Sequence, residues 1–453
     1  MTLPKRFSSV SAVCGWALSN RLAEVLDCHH AAVAFVAKAG ADCPGNTVVA
    51  DDNPLKKRCT EMEKTMDFAL TQEQTIFADV VRRFAEENLK DGALKRAHAS
   101  EYPWEAAKLI AEQGLLGLTI QAEDGGAGGT LMDAVIAIEQ MALVCPKSAD
   151  IVQAGNFGPI RTFAEYGTPE QKEKWLPKLL AGEILISLGM SEPDAGSAVT
   201  ELRTSAREEG DHYVLNGQKV FGTHSRDAEL YLVYVRFGPG LDGIGSILVE
   251  RDTPGFTIGE PSSFMSGEEW CPLYFADARV PKKNLLLGPG GFKQQITAFN
   301  AERIGNTARS LAVGRHAFNL AREYALERKQ FGRPLCEFQG LQWKFSDMAV
   351  KLESAQLLLY KAAVGADQGL PSAYDTTLAK LASNQAGFEV ASEAVQIMGG
   401  MGYSRETLAE YCMRRTKGWM IAGGTVEMMK NRMAEFIFER RFSQRPPKQP
   451  ESR

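Results

Sequence analysis

Leu188-Gly189-Met190-Ser191-Glu192-Pro193-Asp194-Ala195-Gly196-Ser197 is the stretch that decides the fold, because the hydrophobic pattern changes across it. Before it, apolar residues recur at helical spacing; after it, they come in short runs separated by Gly, Asp and Pro. Upstream, Thr71 with Gln74 three residues later forms a capping-box signature, followed by Ile76, Phe77, Val80, Val81 and Phe84, expected on one buried helix face. Pro103 opens a second helix, 131–144 reads as a third and 169–180 as a fourth, which makes 66–185 a helical domain. Downstream, Tyr213-Val214-Leu215, Leu230 to Val235, Ile247-Leu248-Val249 and Leu273-Tyr274-Phe275 are β-rich, with Asn216-Gly217 and Pro254-Gly255 as turn signals. They place a compact sheet or barrel at 186–287, closed by the linker Gly288-Pro289-Gly290-Gly291. Beyond it, the segments 292–327, 338–367, 372–398 and 405–439 are long and apolar-periodic, so 292–440 reads as a four-helix bundle. The fold class is therefore mostly α with a central β domain, in the order helical domain, β-barrel or sheet domain, helical bundle.

Bulk composition sets wide bounds. The chain has 453 residues, 44% hydrophobic and 24% charged, enough for two or three packed domains. A formal net charge of -5 argues against nucleic acid as a partner, since phosphate binding needs a basic face. No uninterrupted apolar run approaches the roughly 18 residues of a spanning helix, so no membrane span is expected. The eight cysteines lack the close pairs of a zinc site and are expected to stay reduced, with no metal bound. Residues 1–65 show no sustained periodicity and are expected to be a disordered extension, with 441–453 as a tail. A thiol-metal role for Cys14, Cys28, Cys43 and Cys59 is a remote alternative.

The opening stretch resembles the Thr-Glu-Pro-x-Ala-Gly-Ser signature of the acyl-CoA dehydrogenases, with Ser191 for Thr. Three further stretches follow it in that family's order. Asn216-Gly217-Gln218-Lys219-Val220-Phe221-Gly222-Thr223 resembles the strand that covers the flavin; Glu327-Arg328-Lys329-Gln330-Phe331-Gly332-Arg333-Pro334-Leu335, with Phe338-Gln339, resembles a segment reaching a neighbouring subunit's FAD; and Gln396-Ile397-Met398-Gly399-Gly400 resembles the Gln-x-x-Gly-Gly segment. The resemblance runs from Met66, where Met66-Asp67-Phe68-Ala69-Leu70-Thr71 is similar to how many bacterial members begin, to about Arg440. It implies FAD as cofactor, held by Leu188, Gly189, Met190, Ser191, Ser197, Phe221, Gly222 and Thr223. It also implies that Arg328, Gln330, Phe331, Gln339, Gln396, Gly399 and Gly400 hold a partner's FAD, in at least a homodimer or homotetramer. Guanidinium suits that task because it offers a planar fork of donors to phosphate oxygens. On pattern alone, Phe221 is a core residue, Arg328 a solvated helix end and the glycines at 399 and 400 a C-cap. Gly222 departs from the family's usual Ile, and His224-Ser225-Arg226 from its usual turn.

Ile421-Ala422-Gly423-Gly424-Thr425-Val426-Glu427 resembles the family turn that commonly carries Glu-Gly-Thr, yet Gly423 stands where the catalytic Glu is usual. A base must remove the substrate's α-proton, and burial raises such a carboxylate's pKa towards the working pH. A minority of the family, including isovaleryl-CoA dehydrogenases, places this Glu on the first bundle helix, immediately before an Arg. Phe299-Asn300-Ala301-Glu302-Arg303-Ile304 resembles that arrangement, so Glu302 is the expected catalytic base. Taken alone, it is a solvated or ion-paired helix acid. The resemblance further implies substrate contacts from Ser197, Arg303, Gly423 and Gly424, cofactor contacts from Thr425 and Glu427, and a backbone donor at Gly423 for the thioester carbonyl. Asn300 departs from the Asp of some relatives. The small Ala422-Gly423 pair is expected to leave room for a branched, cyclic or bulky acyl group.

The expected activity is α,β-dehydrogenation of an acyl-CoA to the trans-2-enoyl-CoA, with electrons passed to an electron-transfer flavoprotein or a similar acceptor. Enoyl-CoA reduction on the same scaffold and noncatalytic FAD or acyl-CoA binding are the alternatives. The compartment implied is the cytoplasm of a bacterium, or the mitochondrial matrix in a eukaryote. Ser262 and Arg415 differ from the residues relatives carry there, which bears on acceptor docking.

Overall fold

Capping chemistry sets the starts of several N-terminal helices in the computed structural model, which describes residues 69–366 and 370–444. The expected 1–65 extension with its four cysteines, and all of the tail beyond residue 444, lie outside the described residues. Helix α1, Gln72–Asn88, opens with Thr71 Oγ1 accepting from the Gln74 N–H at 3.2 Å while Gln74 Oε1 accepts from the Thr71 N–H at 3.1 Å. The same reciprocal box, Thr130 with Asp133 and Thr168 with Gln171, starts α4, Leu131–Ala142, and α7, Pro169–Leu180. Between them run α2 (Ala93–His98), α3 (Trp104–Glu112), α5 (Pro146–Ala154) and α6 (Pro159–Tyr166). α4 is buried along most of its length, as its nearly continuous apolar sequence requires.

One expectation for α1 is corrected. Ala78, Val81 and Ala85 form its buried stripe, with Phe77 and Phe84 at the margins, whereas Ile76 and Val80 are exposed. At 100° per residue, positions 76 and 80 fall well outside the arc centred on 78, 81 and 85.

Ten strands follow. The main sheet has the order β10-β5-β4-β2-β3-β9-β6, with β1 paired parallel to β4. Its members are β1 (Ile186–Gly189), β2 (Ser205–Glu209), β3 (His212–Lys219), β4 (Leu230–Arg236), β5 (Ile244–Glu250), β6 (Phe256–Ile258), β9 (Leu273–Pro281) and β10 (Leu285–Leu287), while β7 (Ser262–Ser263) and β8 (Glu269–Trp270) form a separate ribbon. The unbroken apolar run of β4 is explained by burial on both faces. Leu230, Leu232 and Tyr234 pack with Phe163, Trp175 and Leu176 of α6 and α7; Tyr231, Val233 and Val235 pack with Leu215, Phe256 and Phe275. Asn216-Gly217 is not a turn between strands, as the sequence suggested. It lies inside β3 where the register with β9 shifts, and Gly217 at φ +144° leaves no room for a Cβ, which would lie 2.7 Å from the Thr204 Cα. The strand ends at Lys219, short of Phe221.

The last layer is helical: α8 (Phe292–Glu327), α9 (Gln339–Val364), α10 (Ala373–Met398), the short α11 (Gly400–Tyr403), α12 (Ala409–Trp419) and α13 (Val426–Ile437), with a two-stranded hairpin, β11 (Lys329–Gln330) and β12 (Arg333–Pro334), after α8. The expected single helix 405–439 is broken by the turn 420–425, where Gly423 and Gly424 take φ +72° and +92°. α8 and α10 make the most extensive contact. Their backbones meet at Gly314 and Gly387, where a Cβ on Gly314 would lie 2.7 Å from the Gly387 Cα. Close approach brings the middle of α10 against α8 and the 420–425 turn, and that junction carries the candidate site.

Candidate active site

Glu302, in the third turn of α8, meets the helical domain from below. Its Oε2 accepts from Gln153 Nε2 of α5 at 2.8 Å, and its Oε1 lies 4.0 Å from Arg309 Nη2, two turns along α8. Gly158, the N-cap of α6 at φ +69°, faces it; a Cβ there would stand 3.2 Å from Oε2. The side chain keeps 16% of its surface accessible. Burial pushes its pKa up to about 7, partly offset by Arg309, Lys380, the Gln153 hydrogen bond and Arg303.

The 420–425 turn lies beside it. Arg303 Nε donates to the Gly423 carbonyl at 3.4 Å, and Arg303 Nη1 to Asn300 Oδ1 at 2.7 Å. Asn300 thus serves Arg303 directly. Phe299, Asn306 and Lys380 surround the point where a Gly423 side chain would begin, at 3.7–3.9 Å. The N–H groups of Gly423 and Gly424 have no acceptor among the described residues, and the two glycines directly precede the N-cap of α13, Thr425, whose Oγ1 accepts from the Met428 N–H at 3.2 Å. Free backbone donors suit a developing negative charge.

Lys380 was not singled out from the sequence. It is fully buried, and its Nζ donates to Asn306 Oδ1 at 2.9 Å, the Ala422 carbonyl at 2.9 Å and the Trp419 carbonyl at 3.2 Å. Burial, with repulsion from Arg303, lowers its pKa to about 7. A charged residue inside the apolar-periodic segment 372–398 was the available signal.

A second set of buried charges adjoins Glu302. Asp150 accepts from Arg415 Nε at 2.9 Å and pairs with Arg309 at 3.4 Å; Glu268 pairs with Lys147 at 2.6 Å and with Arg415. Arg309 and Arg415 both stack on Trp419, at 3.7 and 4.0 Å. Burial works against Glu268 ionising, but Arg415 and Lys147 hold its pKa well below the usual carboxylate range. Arg415 is therefore an interior residue, so its difference from relatives does not alter an exposed docking surface; Ser262 is exposed.

Sequence residues 188–223 come together on the β domain. Leu188 and Gly189 end β1, and Val220 N–H donates to the Ser191 carbonyl at 2.9 Å. Glu192 is buried, accepting from the Arg203 and Thr204 N–H groups at 2.6 and 2.9 Å and from Lys219 at 2.7 Å, so it ties the 190–204 loop to β3. Gly222 passes close to Ser187 and Leu188, and a Cβ there would lie 3.1 Å from the Leu188 carbonyl, a tight approach. Thr223 is exposed beside it, its carbonyl accepting from Ser187 Oγ at 2.7 Å, and Ser197 is exposed on the loop. Phe221 is not a core residue: it is 57% exposed, held at φ +60°, with Trp270 at 4.5 Å. An exposed aromatic at a strained backbone position, beside a hydroxyl and a close-packed glycine, fits the face of a flavin.

Arg328, Gln330, Phe331, Gln339, Gln396, Gly399 and Gly400 sit elsewhere. They are all exposed, at the hairpin after α8, the start of α9 and the end of α10, and Phe331 is 94% accessible at the hairpin tip. Along α8, Arg328 is about 39 Å from Glu302 at 1.5 Å per residue. Thr425 and Glu427 lie at the start of α13, with Glu427 exposed. Among the described residues there is no cluster of metal-ligating side chains and no helix long and apolar enough to cross a membrane.

Three family models match in series: the acyl-CoA dehydrogenase N-terminal domain at residues 71–183, its middle domain at 187–278 and its C-terminal domain at 289–438. The short-chain-specific acyl-CoA dehydrogenase of Clostridium acetobutylicum is 37% identical over 82% of this chain and 100% of its own length. The acryloyl-CoA reductase (NADH) of Anaerotignum propionicum is 37% identical over 85% of this chain and 100% of its own. The structure of butyryl-CoA dehydrogenase from Megasphaera elsdenii superposes with a TM-score of 0.77 at 33% identity, covering 82% of this chain and 100% of that one.

Proposed function

The chain belongs to the acyl-CoA dehydrogenase family of FAD-dependent oxidoreductases, and from that premise we propose that Glu302 is its catalytic base. The reaction is α,β-dehydrogenation of an acyl-CoA thioester. The carbon–hydrogen bond at Cα breaks with its proton passing to the Glu302 carboxylate, a hydride leaves Cβ, and the pair left at Cα becomes the new double bond of the trans-2-enoyl-CoA. FAD, when bound, supplies the two-electron acceptor for that hydride.

The observation that carries this reading is the placement of Glu302: a buried but accessible carboxylate, raised to about 7, beside unpaired N–H groups at Gly423 and Gly424. Gln153 orients the carboxylate and leaves one oxygen for the substrate. The Gly423 N–H polarises the thioester carbonyl, acidifying the α-proton. Arg303, tied to the Gly423 carbonyl, steadies the turn against Glu302's own helix. Leu188, Gly189, Met190, Ser191, Ser197, Phe221, Gly222 and Thr223 line the flavin's site, with Thr425 and Glu427 near it at α13. The exposed residues from Arg328 to Gly400 serve the FAD of a second copy, because about 39 Å along one rigid helix is too far for Arg328 and Glu302 to share a cofactor within one chain. A homodimer or homotetramer follows.

The space at Ala422 and Gly423 admits a branched, cyclic or bulky acyl group, but its surroundings favour a compact one. Asn306 and Lys380 make it polar, Arg309 closes in beyond Glu302, and the named relatives are short-chain, butyryl and acryloyl enzymes. Anaerobic flavin bleaching with straight, branched, cyclic and dicarboxylic acyl-CoAs tests this. Fast bleaching by four-carbon chains supports the compact pocket, and fast bleaching only by cyclic or long-branched chains supports the larger one. The reductase relative favours a second reading, enoyl-CoA reduction in the same site by the reverse transfers. Turnover of an enoyl-CoA with NADH, without bleaching by saturated acyl-CoA, would select it. The electron acceptor in the forward direction is an electron-transfer flavoprotein or a similar carrier.

A further inference from the structure

We propose that Lys380 is a positioning residue for this reaction, an ammonium that fixes the 419–423 turn so that the Gly423 N–H meets the thioester carbonyl; the proposal rests on the dehydrogenation reading above. The geometry is specific. Lys380 and Asn384 stand one turn apart on the same face of α10, and both donate to the Trp419 carbonyl and to Asn306 Oδ1. Lys380 alone reaches on to the Ala422 carbonyl, the peptide directly before Gly423. That peptide includes the Gly423 N–H. Holding its oxygen therefore sets the direction of its hydrogen, since the peptide unit is planar.

The choice of lysine also needs explaining. A buried ammonium loses solvation worth several kcal/mol and retains its charge only where acceptors replace water. Three acceptors surround Nζ, yet no carboxylate is among them. A purely structural tie needs hydrogen-bond donors but no net charge. The charge acts instead on its neighbours, and the groups that act on it are Arg303, Glu302 and Arg309 of α8. Towards α12 and the turn, Lys380 donates to the Trp419 and Ala422 carbonyls. Its positive charge favours the ionised form of Glu302 and polarises the Ala422–Gly423 peptide towards the site.

The test uses the intact FAD-loaded protein as wild type, Lys380→Met, Lys380→Gln and Glu302→Gln. In Lys380→Met, the rate of flavin reduction by saturating acyl-CoA should fall about 100-fold, the scale of one lost carbonyl donor, while acyl-CoA affinity changes less than threefold. The acidic limb of kcat/KM should move to higher pH. The carbonyl band of a bound 2-enoyl-CoA should return towards its free frequency in both Lys380 variants and stay shifted in Glu302→Gln. If Lys380→Met fails to retain FAD, Lys380→Gln, a neutral side chain one atom shorter that removes the charge and falls short of the Ala422 carbonyl, carries the same comparisons. A variant that melts earlier but keeps the wild-type reduction rate, pH limb and carbonyl band overturns the proposal. Full activity in Glu302→Gln, with the carbonyl shift still lost in the Lys380 variants, would overturn the base assignment and leave the positioning role standing.

Discussion

The role proposed for Glu302 rests on what surrounds it, and the surroundings make quantitative demands. Its carboxylate takes up a proton more readily in the folded chain than in the unfolded one, since burial raises its pKa from 4.5 to about 7. Folded protein therefore binds more protons between those values, and stability falls as pH rises through that window, by at most about 3 kcal/mol from this group. Replacing Glu302 by Gln removes the slope: the melting temperature should rise at pH 8 and hardly change at pH 4.5. Equal shifts at both pH values would contradict a buried, proton-hungry carboxylate. Activity has the opposite sense on the acid side, with kcat/KM rising as the base ionises near pH 7, and it should fall again as Lys380, its pKa lowered to about 7, gives up its proton. Glu268 responds differently, because its pKa is held low by Arg415 and Lys147. Glu268→Gln leaves two buried cations short of a partner and should destabilise by about 3–5 kcal/mol, measured by denaturant titration; a cost under 1 kcal/mol would show that the pair is solvent-exposed in solution.

At the scale of elements, the sequence carried whatever depends on local pattern. The Thr71 and Gln74 capping box, the apolar run of β4 and the long helix from Phe292 to Glu327 are all local signals, and each of these lies where its pattern put it. Features set by long-range contact were misread or missed. Asn216-Gly217 has the composition of a turn, but Thr204 across the sheet makes it a bulge. The interior position of Arg415 was not legible because its acidic partners, Asp150 and Glu268, are far away in the chain. Lys380 gave no motif at all, since its three acceptors come from α8, α12 and the turn after it. The α8–α10 crossing yields a direct test. A Cβ on Gly387 would lie 2.4 Å from the Ser310 carbonyl, so Gly387→Ala forces two helices apart and should cost at least about 2 kcal/mol, read as a lower denaturation midpoint. An unchanged midpoint would mean that the helices are not in backbone contact.

At the scale of the whole molecule, the account requires that each active site draw on two chains: the base and flavin face from one, the exposed Arg328 to Gly400 set from another. Arg328→Ala should weaken FAD retention while leaving the fold intact. Co-expression of Arg328→Ala and Glu302→Gln chains should restore activity beyond either parent, because a hybrid pair contains one site with both residues unaltered. Absence of rescue, with hybrids demonstrated, would place both residues' effects in one chain. The central claim, that proton removal by Glu302 drives dehydrogenation, is tested most directly by stopped-flow bleaching of the bound flavin in wild type and Glu302→Gln at saturating butyryl-CoA. The account predicts rapid bleaching in wild type and a loss of at least about 100-fold in the variant with FAD content and ligand binding preserved; equal bleaching rates in the two proteins would contradict it.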